Sequence, residues 1–315
     1  MKILITGASG FIGGSFMRRF AGRDGVELFG VGRRPTEFHN YAQIDLVNQF
    51  DLQFKPDAVI HAAARASPWG TAAEFHRQNV ETTRNVVRFC ERRGGPKLVY
   101  VSSSSVFYRC EHQLGITESS PIGPAFINDY AATKYQGELA VAAYSGQSVI
   151  VRPRAVFGPR DTVLFPRILE AARRGRMPMF VQDGPPAMGD LIYIDTLCDY
   201  LFSAATRSDV TGTYNLTNAQ PVVIRDFLID VLTRLGIASP TRRVRVATAM
   251  RAATVTEAVY RLLRLGEPPI TRFGVSVFAY SKTFNVAHML RDLGPPSVGL
   301  ADGIERFIEW QRTQP

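Results

Sequence analysis

The sequence predicts an α/β fold, in which helices cover both faces of a doubly wound parallel sheet and a smaller C-terminal region binds a substrate. Three observations predict this class. Short apolar runs alternate with helical patterns through the first half of the chain. A glycine-rich turn joins the first of those runs to the first helix. The 315 residues are 45% hydrophobic and 21% charged, a balance typical of a globular protein with a sizeable core.

The predicted elements of the first half follow one another in strand–helix order. Continuous apolar strands indicate a sheet that is buried on both faces. The predicted strands span residues 1–5, 26–31, 57–62, 97–102 and 148–152. Two long helices are predicted over residues 74–93 and 129–144, and Gly94-Gly95-Pro96 ends the first of them. In such sheets, ligands bind beyond the carboxyl ends of the strands.

The turn after the first strand carries Gly7, Gly10 and Gly13 in the spacing G-x-x-G-x-x-G. The first glycine permits a tight turn, the second lets the backbone approach a phosphate, and the third lets the helix pack close to the strand. The helix N-terminus adds free N–H groups and a partial positive charge. The turn therefore predicts a site for a dinucleotide's pyrophosphate, with a purely structural turn as the alternative. The predicted site also includes Ser9, Phe11 and Ile12.

The composition changes after Pro153, where Pro and Gly become frequent and the strict alternation fades. We predict a dinucleotide-binding domain over residues 1–155 and a mostly substrate-binding region over 156–315. Elements near residues 190–194 and 214–216 are expected to return to the main domain.

Charge and cysteine content limit the classes of partner. The net charge is +9, and the basic residues are scattered in short pairs. A solvated basic face, or attraction of an anionic cofactor or substrate, explains this charge with fewer assumptions than nucleic-acid binding. No signal peptide and no membrane span are expected, and the three cysteines suggest neither a metal site nor an oxidising compartment. We expect a cytoplasmic protein that acts on a small molecule, with no metal and no nucleic-acid partner.

The helix predicted from residue 129 carries Tyr130 and Lys134, which lie one turn apart on the same face. An unperturbed tyrosine has a pKa of about 10, which is too high for easy proton transfer at neutral pH. A nearby ammonium stabilises the phenolate and lowers that pKa. The pair predicts an acid/base group, although a half-buried Tyr beside a solvated Lys is the simpler alternative.

The strand predicted over residues 97–102 runs into four serines, of which Ser102 is the first. They include Ser103, Ser104 and Ser105, whose hydroxyls would lie at the carboxyl edge of the sheet. A carbonyl substrate could be held there, and a serine-rich polar turn is the alternative. The glycine turn, the serine at the end of the strand and the Tyr-x-x-x-Lys pair follow one another along the chain. This order strengthens the functional interpretation of each motif.

With these motifs, the chain resembles the extended short-chain dehydrogenase/reductase superfamily, the NAD-dependent epimerase/dehydratase family, over nearly its whole length. The resemblance implies a Rossmann fold and assigns Tyr130 as acid/base, Lys134 as the partner of the nicotinamide ribose, and Ser103 as the group that binds the substrate oxygen. Further cofactor-binding residues implied by the resemblance are Asp45, Leu46, Ala62, Ala63, Ala64, Asn79, Pro153 and Val156. The substrate residues proposed with it are Ser104, Ser105, Trp69 and Phe157.

The end of the second strand indicates which nicotinamide cofactor is used. Members that use NAD have an acidic residue there, which binds the ribose 2′-hydroxyl. This chain has Gly32 at that place, followed by Arg33 and Arg34. Guanidinium groups bind a 2′-phosphate through charge-assisted hydrogen bonds. The sequence therefore favours NADP, and NAD stays open if both arginines face solvent.

Several departures from the family's sugar-nucleotide enzymes bear on the reaction. Ala155 stands where sugar epimerases commonly have Asn, and Gly189 stands where they have Arg. Residues 267–273 resemble a segment of 3β-hydroxysteroid dehydrogenase-like members. We expect hydride transfer between the cofactor and a hydrophobic ketone or secondary alcohol, either sterol-like or a β-keto compound. The alternatives are a nucleotide-sugar 4-epimerase that retains NAD, and a non-catalytic NADP sensor.

Two features stay open at the level of sequence. Residues 249–265 mix apolar residues with arginines, as in a lid helix, a membrane-surface contact or an ordinary packed helix. The family often dimerises through helices of the main domain, so the predicted helices 74–93 and 129–144 are candidates for a homodimer interface.

Overall fold

The computed structural model describes residues 1–314, so Pro315, the last residue of the predicted second region, lies outside the description. The main sheet has seven parallel strands in the order β12-β7-β5-β4-β1-β2-β3. Its strands are β1 (Lys2–Thr6), β2 (Glu27–Gly32), β3 (Tyr41–Gln43), β4 (Ala58–His61), β5 (Lys97–Val101), β7 (Ser148–Pro153) and β12 (Gly212–Leu216). The predicted α/β class with a doubly wound parallel sheet is confirmed.

Eight shorter strands build smaller sheets beside the main one. They are β6 (Gln113–Ile116), β8 (Val156–Phe157), β9 (Met179–Val181), β10 (Met188–Gly189), β11 (Ile192–Tyr193), β13 (Val222–Val223), β14 (Arg243–Arg245) and β15 (Lys282–Phe284). A four-stranded sheet has the order β13-β10-β15-β6, while β11 pairs with β8 and β14 with β9.

Helices cover the sheets. They are α1 (Phe11–Phe20), α2 (Ala72–Phe75), α3 (Thr82–Arg92), α4 (Asp129–Ala142), α5 (Phe165–Arg173), α6 (Ile194–Thr206), α7 (Ile224–Arg234), α8 (Val246–Leu262), α9 (Arg272–Ala279), α10 (Ala287–Leu293) and α11 (Leu300–Arg312). A π-helical turn, His76–Glu81, joins α2 to α3, and a 3₁₀ turn, Ser104–Phe107, follows β5. Among the described residues, no helix has both the length and the apolar character needed to cross a bilayer.

Three sequence expectations differ from the structure in detail. The helix predicted over 74–93 begins at Ala72 and contains the π-helical turn, which adds a residue to the helical repeat and occurs often at functional sites. Only one of the two returning elements joins the main sheet: β12 pairs with β7, whereas β11 pairs with β8. The short edge strand β3 has no counterpart in the prediction.

Apolar side chains fill both faces of the sheet. The strand residues of β1, β4 and β5 are almost all buried, as expected for central parallel strands. One cluster lies between the sheet and helices α1 and α6, and a second lies between the sheet and α3. This packing fixes the carboxyl ends of the central strands, where the candidate site lies.

Helix α4 is tied to the sheet by a buried ion pair. The guanidinium of Arg152, on β7, donates two hydrogen bonds to the Glu138 carboxylate, 2.9 and 2.7 Å long. Both side chains are almost fully buried. The Ser102 hydroxyl at the end of β5 donates to the same carboxylate. The pair therefore links α4 with two strands of the main sheet.

Removal of the carboxylate should destabilise the protein strongly. Glu138→Ala leaves the buried Arg152 guanidinium without its partner, and breaking a buried pair in this way costs about 3–5 kcal/mol of unfolding free energy. Denaturant unfolding measures the loss. Glu309→Ala, an exposed site on α11, is the control and should change the free energy by less than about 0.5 kcal/mol. A loss of under about 1 kcal/mol for Glu138→Ala would show that the pair does not anchor α4.

Candidate active site

A cavity of about 850 Å³ lies beyond the carboxyl ends of the central strands. Its lining combines the glycine turn, the serine turn, the start of α4 and the end of β7. All the predicted site residues lie on this lining except Trp69, Asn79 and Phe157. The size and mixed lining suit a dinucleotide together with a small substrate.

The glycine turn forms a close-packed cradle at one end of the cavity. A Cβ at Gly13 would lie 2.3 Å from the Gly7 carbonyl oxygen, and one at Gly7 would lie 2.8 Å from the Ala63 nitrogen. Gly7 also has a φ of 75°, which favours glycine. Gly10 caps α1 without a side-chain hydrogen bond, so the first N–H groups of the helix face the cavity. The cradle therefore fits a pyrophosphate, the function predicted for it.

The end of β2 carries no acidic side chain. A Cβ at Gly32 would lie 2.6 Å from the Ser9 hydroxyl oxygen, so the turn itself fills the space of a larger residue. The guanidinium of Arg34 donates to the Ser9 carbonyl oxygen at 2.6 Å, and both Arg33 and Arg34 line the cavity. The Tyr41 hydroxyl donates to the Arg34 carbonyl oxygen and fixes this loop to the edge strand β3.

Tyr130 lies in the first turn of α4 and faces the cavity. The helix begins there because the Asn128 side chain accepts a hydrogen bond from the Ala131 N–H at 2.9 Å. Burial raises the pKa of Tyr130 above its ordinary value, and the nearby Ser103 hydroxyl opposes that rise. Ser103 in turn shares a 2.9 Å hydrogen bond with the Ser105 hydroxyl. The predicted tyrosine and serine are therefore brought together.

Lys134 lies in the same cavity but contacts different groups. Its ammonium donates a 2.5 Å hydrogen bond to the Val101 carbonyl oxygen and lies 4.4 Å from the centre of the Tyr100 ring. Burial lowers the pKa of Lys134 to about 7, and the Glu138 carboxylate opposes this. Burial is the largest cause of the pKa shift at both groups. The expected lowering of the Tyr130 pKa by Lys134 together with a bound nicotinamide stays a prediction.

Asn79 lies behind the lining, in the π-helical turn, and the prediction that it contacts cofactor needs correction. Its side-chain carbonyl accepts from the Arg65 N–H at 2.7 Å, and its amide donates to the Thr133 hydroxyl at 3.0 Å. Asn79 therefore positions both the segment after β4 and the turn of α4 between Tyr130 and Lys134.

The two aromatic residues predicted to contact substrate lie elsewhere. Phe157 is fully buried, with its ring 5.6 Å from that of Tyr193 and 6.1 Å from that of Phe165. It is a core residue, because β8 turns its side chain away from the cavity. Trp69 lies outside the lining and contacts Arg261, whose guanidinium carbon is 5.4 Å from its ring. The substrate role assigned to Phe157 is therefore wrong, whereas that of Trp69 stays a prediction.

The structure adds lining residues that sequence reasoning missed. Phe273 and Val277 on α9 form an apolar wall together with Val163 and Leu164. The segment before α9 carries a family resemblance, but nothing local shows that α9 faces the cavity.

Two further lining residues are polar. Arg154 and Tyr108 both face the cavity. Arg154 lies at the end of β7, between Pro153 and Val156, which the resemblance assigns to the cofactor. Its charge could have indicated a role in the site, but the resemblance did not assign one. Within residues 1–314, no group of His, Cys, Asp or Glu side chains could hold a metal ion.

Comparison with known proteins gives this cavity a context. Residues 3–217 match the family described as NAD dependent epimerase/dehydratase family. The chain is 33% identical to the 2-alkyl-3-oxoalkanoate reductase of Stenotrophomonas maltophilia, over 98% of each chain. It is 27% identical to the decarboxylating sterol-4-alpha-carboxylate 3-dehydrogenase of Schizosaccharomyces pombe, over 99% of this chain and 98% of that protein.

The solved structures agree on the fold. The UDP-glucose 4-epimerase of Thermus thermophilus, solved in complex with NAD, superposes with a TM-score of 0.75 over 100% of both chains. The identity is 20%, so this likeness shows the fold and no more. The family match and the reductase relative go further. The chain belongs to the NAD-dependent epimerase/dehydratase family and is an NAD(P)-dependent oxidoreductase of the extended short-chain dehydrogenase/reductase superfamily, with a 3β-hydroxysteroid dehydrogenase-like character.

Proposed function

We propose that the protein is an NADP-dependent reductase or dehydrogenase that moves a hydride between the cofactor and a hydrophobic ketone or secondary alcohol. The observation that carries this proposal is the meeting of Ser103, Tyr130 and Lys134 in the cavity that also contains the glycine turn. A substrate oxygen can then contact the polar groups while its carbon faces the nicotinamide. The reductase and dehydrogenase named among the relatives support this reaction class.

Each polar group has a role in the proposed reaction. In the direction of reduction, NADPH, when bound, would supply the hydride for the carbonyl carbon. Tyr130 gives its hydroxyl proton to the carbonyl oxygen, and Ser103 donates a hydrogen bond to the same oxygen. The raised pKa of Tyr130 keeps its hydroxyl protonated before transfer. Oxidation of an alcohol reverses these steps.

Lys134 is the proposed partner of the nicotinamide ribose and the route by which Tyr130 regains a proton. Its pKa of about 7 allows it to gain and lose a proton near neutral pH. Its position one helical turn from Tyr130 places both groups on the same side of α4. Asp45, Leu46 and residues 62–64 line the part of the cavity proposed for the remainder of the cofactor.

The preference for NADP is supported by the charges around the glycine turn. Arg33 and Arg34 follow Gly32 at the point where an acidic residue would repel a 2′-phosphate. A second hollow of about 220 Å³ adjoins the turn, and Arg18, Arg34 and Arg160 line it. Burial and repulsion from Arg160 lower the pKa of Arg18, and Glu37, whose carboxylate lies 3.6 Å from the Arg18 guanidinium, opposes that fall. An anionic group on the cofactor would relieve this repulsion.

The apolar wall formed by Val163, Leu164, Phe273 and Val277 supports a hydrophobic substrate. The epimerase alternative has less support, because the likeness to epimerase structures extends only to the fold. A sensor without catalysis would not require the meeting of Ser103 with Tyr130.

We keep two finer expectations as proposals, a cytoplasmic location and a homodimer built through α3 and α4. Leu139, on α4, is 54% exposed, and α3 packs against α4 in the same layer. An exposed leucine on this face supports a dimer interface there.

Removal of the Tyr130 hydroxyl should stop the reaction but not cofactor binding. Tyr130→Phe keeps the ring and its packing, so we expect kcat to fall at least about 100-fold while the Kd for NADPH changes less than about twofold. Steady-state turnover with a ketone and fluorescence titration with NADPH measure the two quantities. Tyr135→Phe, on the same helix, is the control and should keep its activity. Full activity in Tyr130→Phe would remove Tyr130 as proton donor.

Loss of both arginines should change cofactor choice. In Arg33→Ala/Arg34→Ala, we expect the Kd for NADPH to rise at least about tenfold and the Kd for NADH to rise less than about threefold, because only NADPH carries the 2′-phosphate. Titration of both cofactors measures the ratio. An adjacent exposed pair at the end of α5 gives the control, Arg173→Ala/Arg174→Ala, which should leave both constants unchanged. Equal weakening of the two cofactors would contradict the phosphate-binding role.

A further inference from the structure

Arg154 is a buried cation without a partner, at the end of β7. It is 5% exposed, it lines the cavity, and its Nε is buried with no hydrogen-bond partner. Among residues 1–314, no carboxylate oxygen lies within 4.0 Å of its guanidinium. Arg152, two residues earlier, is buried to a similar degree and is fully paired with Glu138. Because an unpaired buried charge is costly, the free guanidinium of Arg154 indicates a missing anionic partner.

The surroundings of Arg154 also favour an anion. Its guanidinium carbon lies 5.2 Å from the centre of the Tyr108 ring, and the buried Lys282 ammonium lies 5.8 Å from the same ring. Asp190 is the carboxylate on which the charge of Arg154 acts. However, Asp190 Oδ2 already accepts a hydrogen bond from the Phe284 N–H at 2.9 Å. Burial raises the pKa of Asp190 to about 6, and the positive charge of Arg154 opposes that rise. Asp190 therefore attracts Arg154 without forming an ion pair with it.

A chain of contacts leads from Arg154 to the serine turn. The Tyr108 hydroxyl, whose ring Arg154 covers, shares a 2.9 Å hydrogen bond with Ser104. Ser104 is next in sequence to Ser103, which lines the same cavity as Tyr130. The residue after Arg154, Ala155, has a φ of 44°, a strained conformation of the kind that clusters at functional sites. The proposed proton donor, Tyr130, and the unpaired guanidinium of Arg154 therefore line the same cavity.

We propose that Arg154 is the residue of this chain that binds a substrate carboxylate, and that it thereby sets the preference for a 3-oxo or 3-hydroxy acid over the corresponding neutral ester. The proposal rests on the proposed function and adds a residue and a substrate feature to it. The carboxylate would contact Arg154, the oxygen on C3 would contact Ser103 and Tyr130, and the alkyl part would lie against Phe273 and Val277. A planar guanidinium binds a carboxylate through two parallel hydrogen bonds, which also fixes its orientation.

The test compares a medium-chain 3-hydroxy acid with its methyl ester, both oxidised with NADP⁺. In Arg154→Gln we expect kcat/KM for the acid to fall at least about 30-fold, while kcat/KM for the ester changes less than about threefold. Arg154→Lys keeps the charge without the paired geometry and should lose activity on the acid by an intermediate factor. Arg251→Gln, on the exposed face of α8, is the control. Equal effects on acid and ester, or no effect on either, would overturn the proposal.

A binding measurement separates this inference from the proposed function. Calorimetry follows the 3-hydroxy acid as it binds wild type and Arg154→Gln in the presence of NADP⁺. If neither compound is oxidised but the acid binds only when Arg154 is present, the carboxylate site stands and the proposed function fails. If the acid does not bind while UDP-glucose does so in an Arg154-dependent way, the anion is a phosphate and the carboxylate assignment is wrong. If Arg154→Gln fails to fold, the same comparison is made with Arg154→Lys.

Discussion

The buried pair between Glu138 and Arg152 is the interaction on which the site depends. Helix α4 carries both Tyr130 and Lys134, but its own sequence does not determine how it rotates or shifts on the sheet. The two hydrogen bonds from Arg152 and the one from Ser102 hold α4 in place on the sheet. Because these bonds are buried, a shift of α4 would leave charged groups unpaired in the core. The orientation of the proposed proton donor is therefore maintained by charges that do not touch the substrate.

A second polar chain supports the opposite side of α4. His61, at the end of β4, contacts the Thr6 hydroxyl at 2.7 Å and the Thr83 hydroxyl at 3.0 Å, and Thr83 donates to the Asn79 carbonyl oxygen. Asn79 then donates to Thr133 on α4. Burial lowers the pKa of His61 to about 3, so this chain stays uncharged across the physiological range. Neutral hydrogen bonds thus connect the sheet and the π-helical turn to one side of α4. An ion pair connects the sheet to the other side of α4.

The fold class and most of the cavity lining could be predicted from local patterns in the sequence. The glycine turn and the Tyr130–Lys134 spacing are complete within a few residues, so their placement needs no knowledge of distant contacts. Phe157 was misassigned because its direction depends on the pairing of β8 with β11, far along the chain. Arg154 was missed for a related reason. Its neighbours Tyr108 and Lys282 come from separate segments, and only the folded chain shows that no carboxylate pairs with it.

The measurement that tests this account most directly is a single turnover with NADPH that carries two deuterium atoms at C4 of the nicotinamide. Purified protein, labelled NADPH and a medium-chain 3-oxo acid are mixed, and the product is analysed by mass spectrometry. Hydride transfer predicts one deuterium on the carbon that bears the new hydroxyl, with one NADP⁺ formed for each product molecule. Tight binding of cofactor with no NADP⁺ formed and no label in the organic acid would contradict the account.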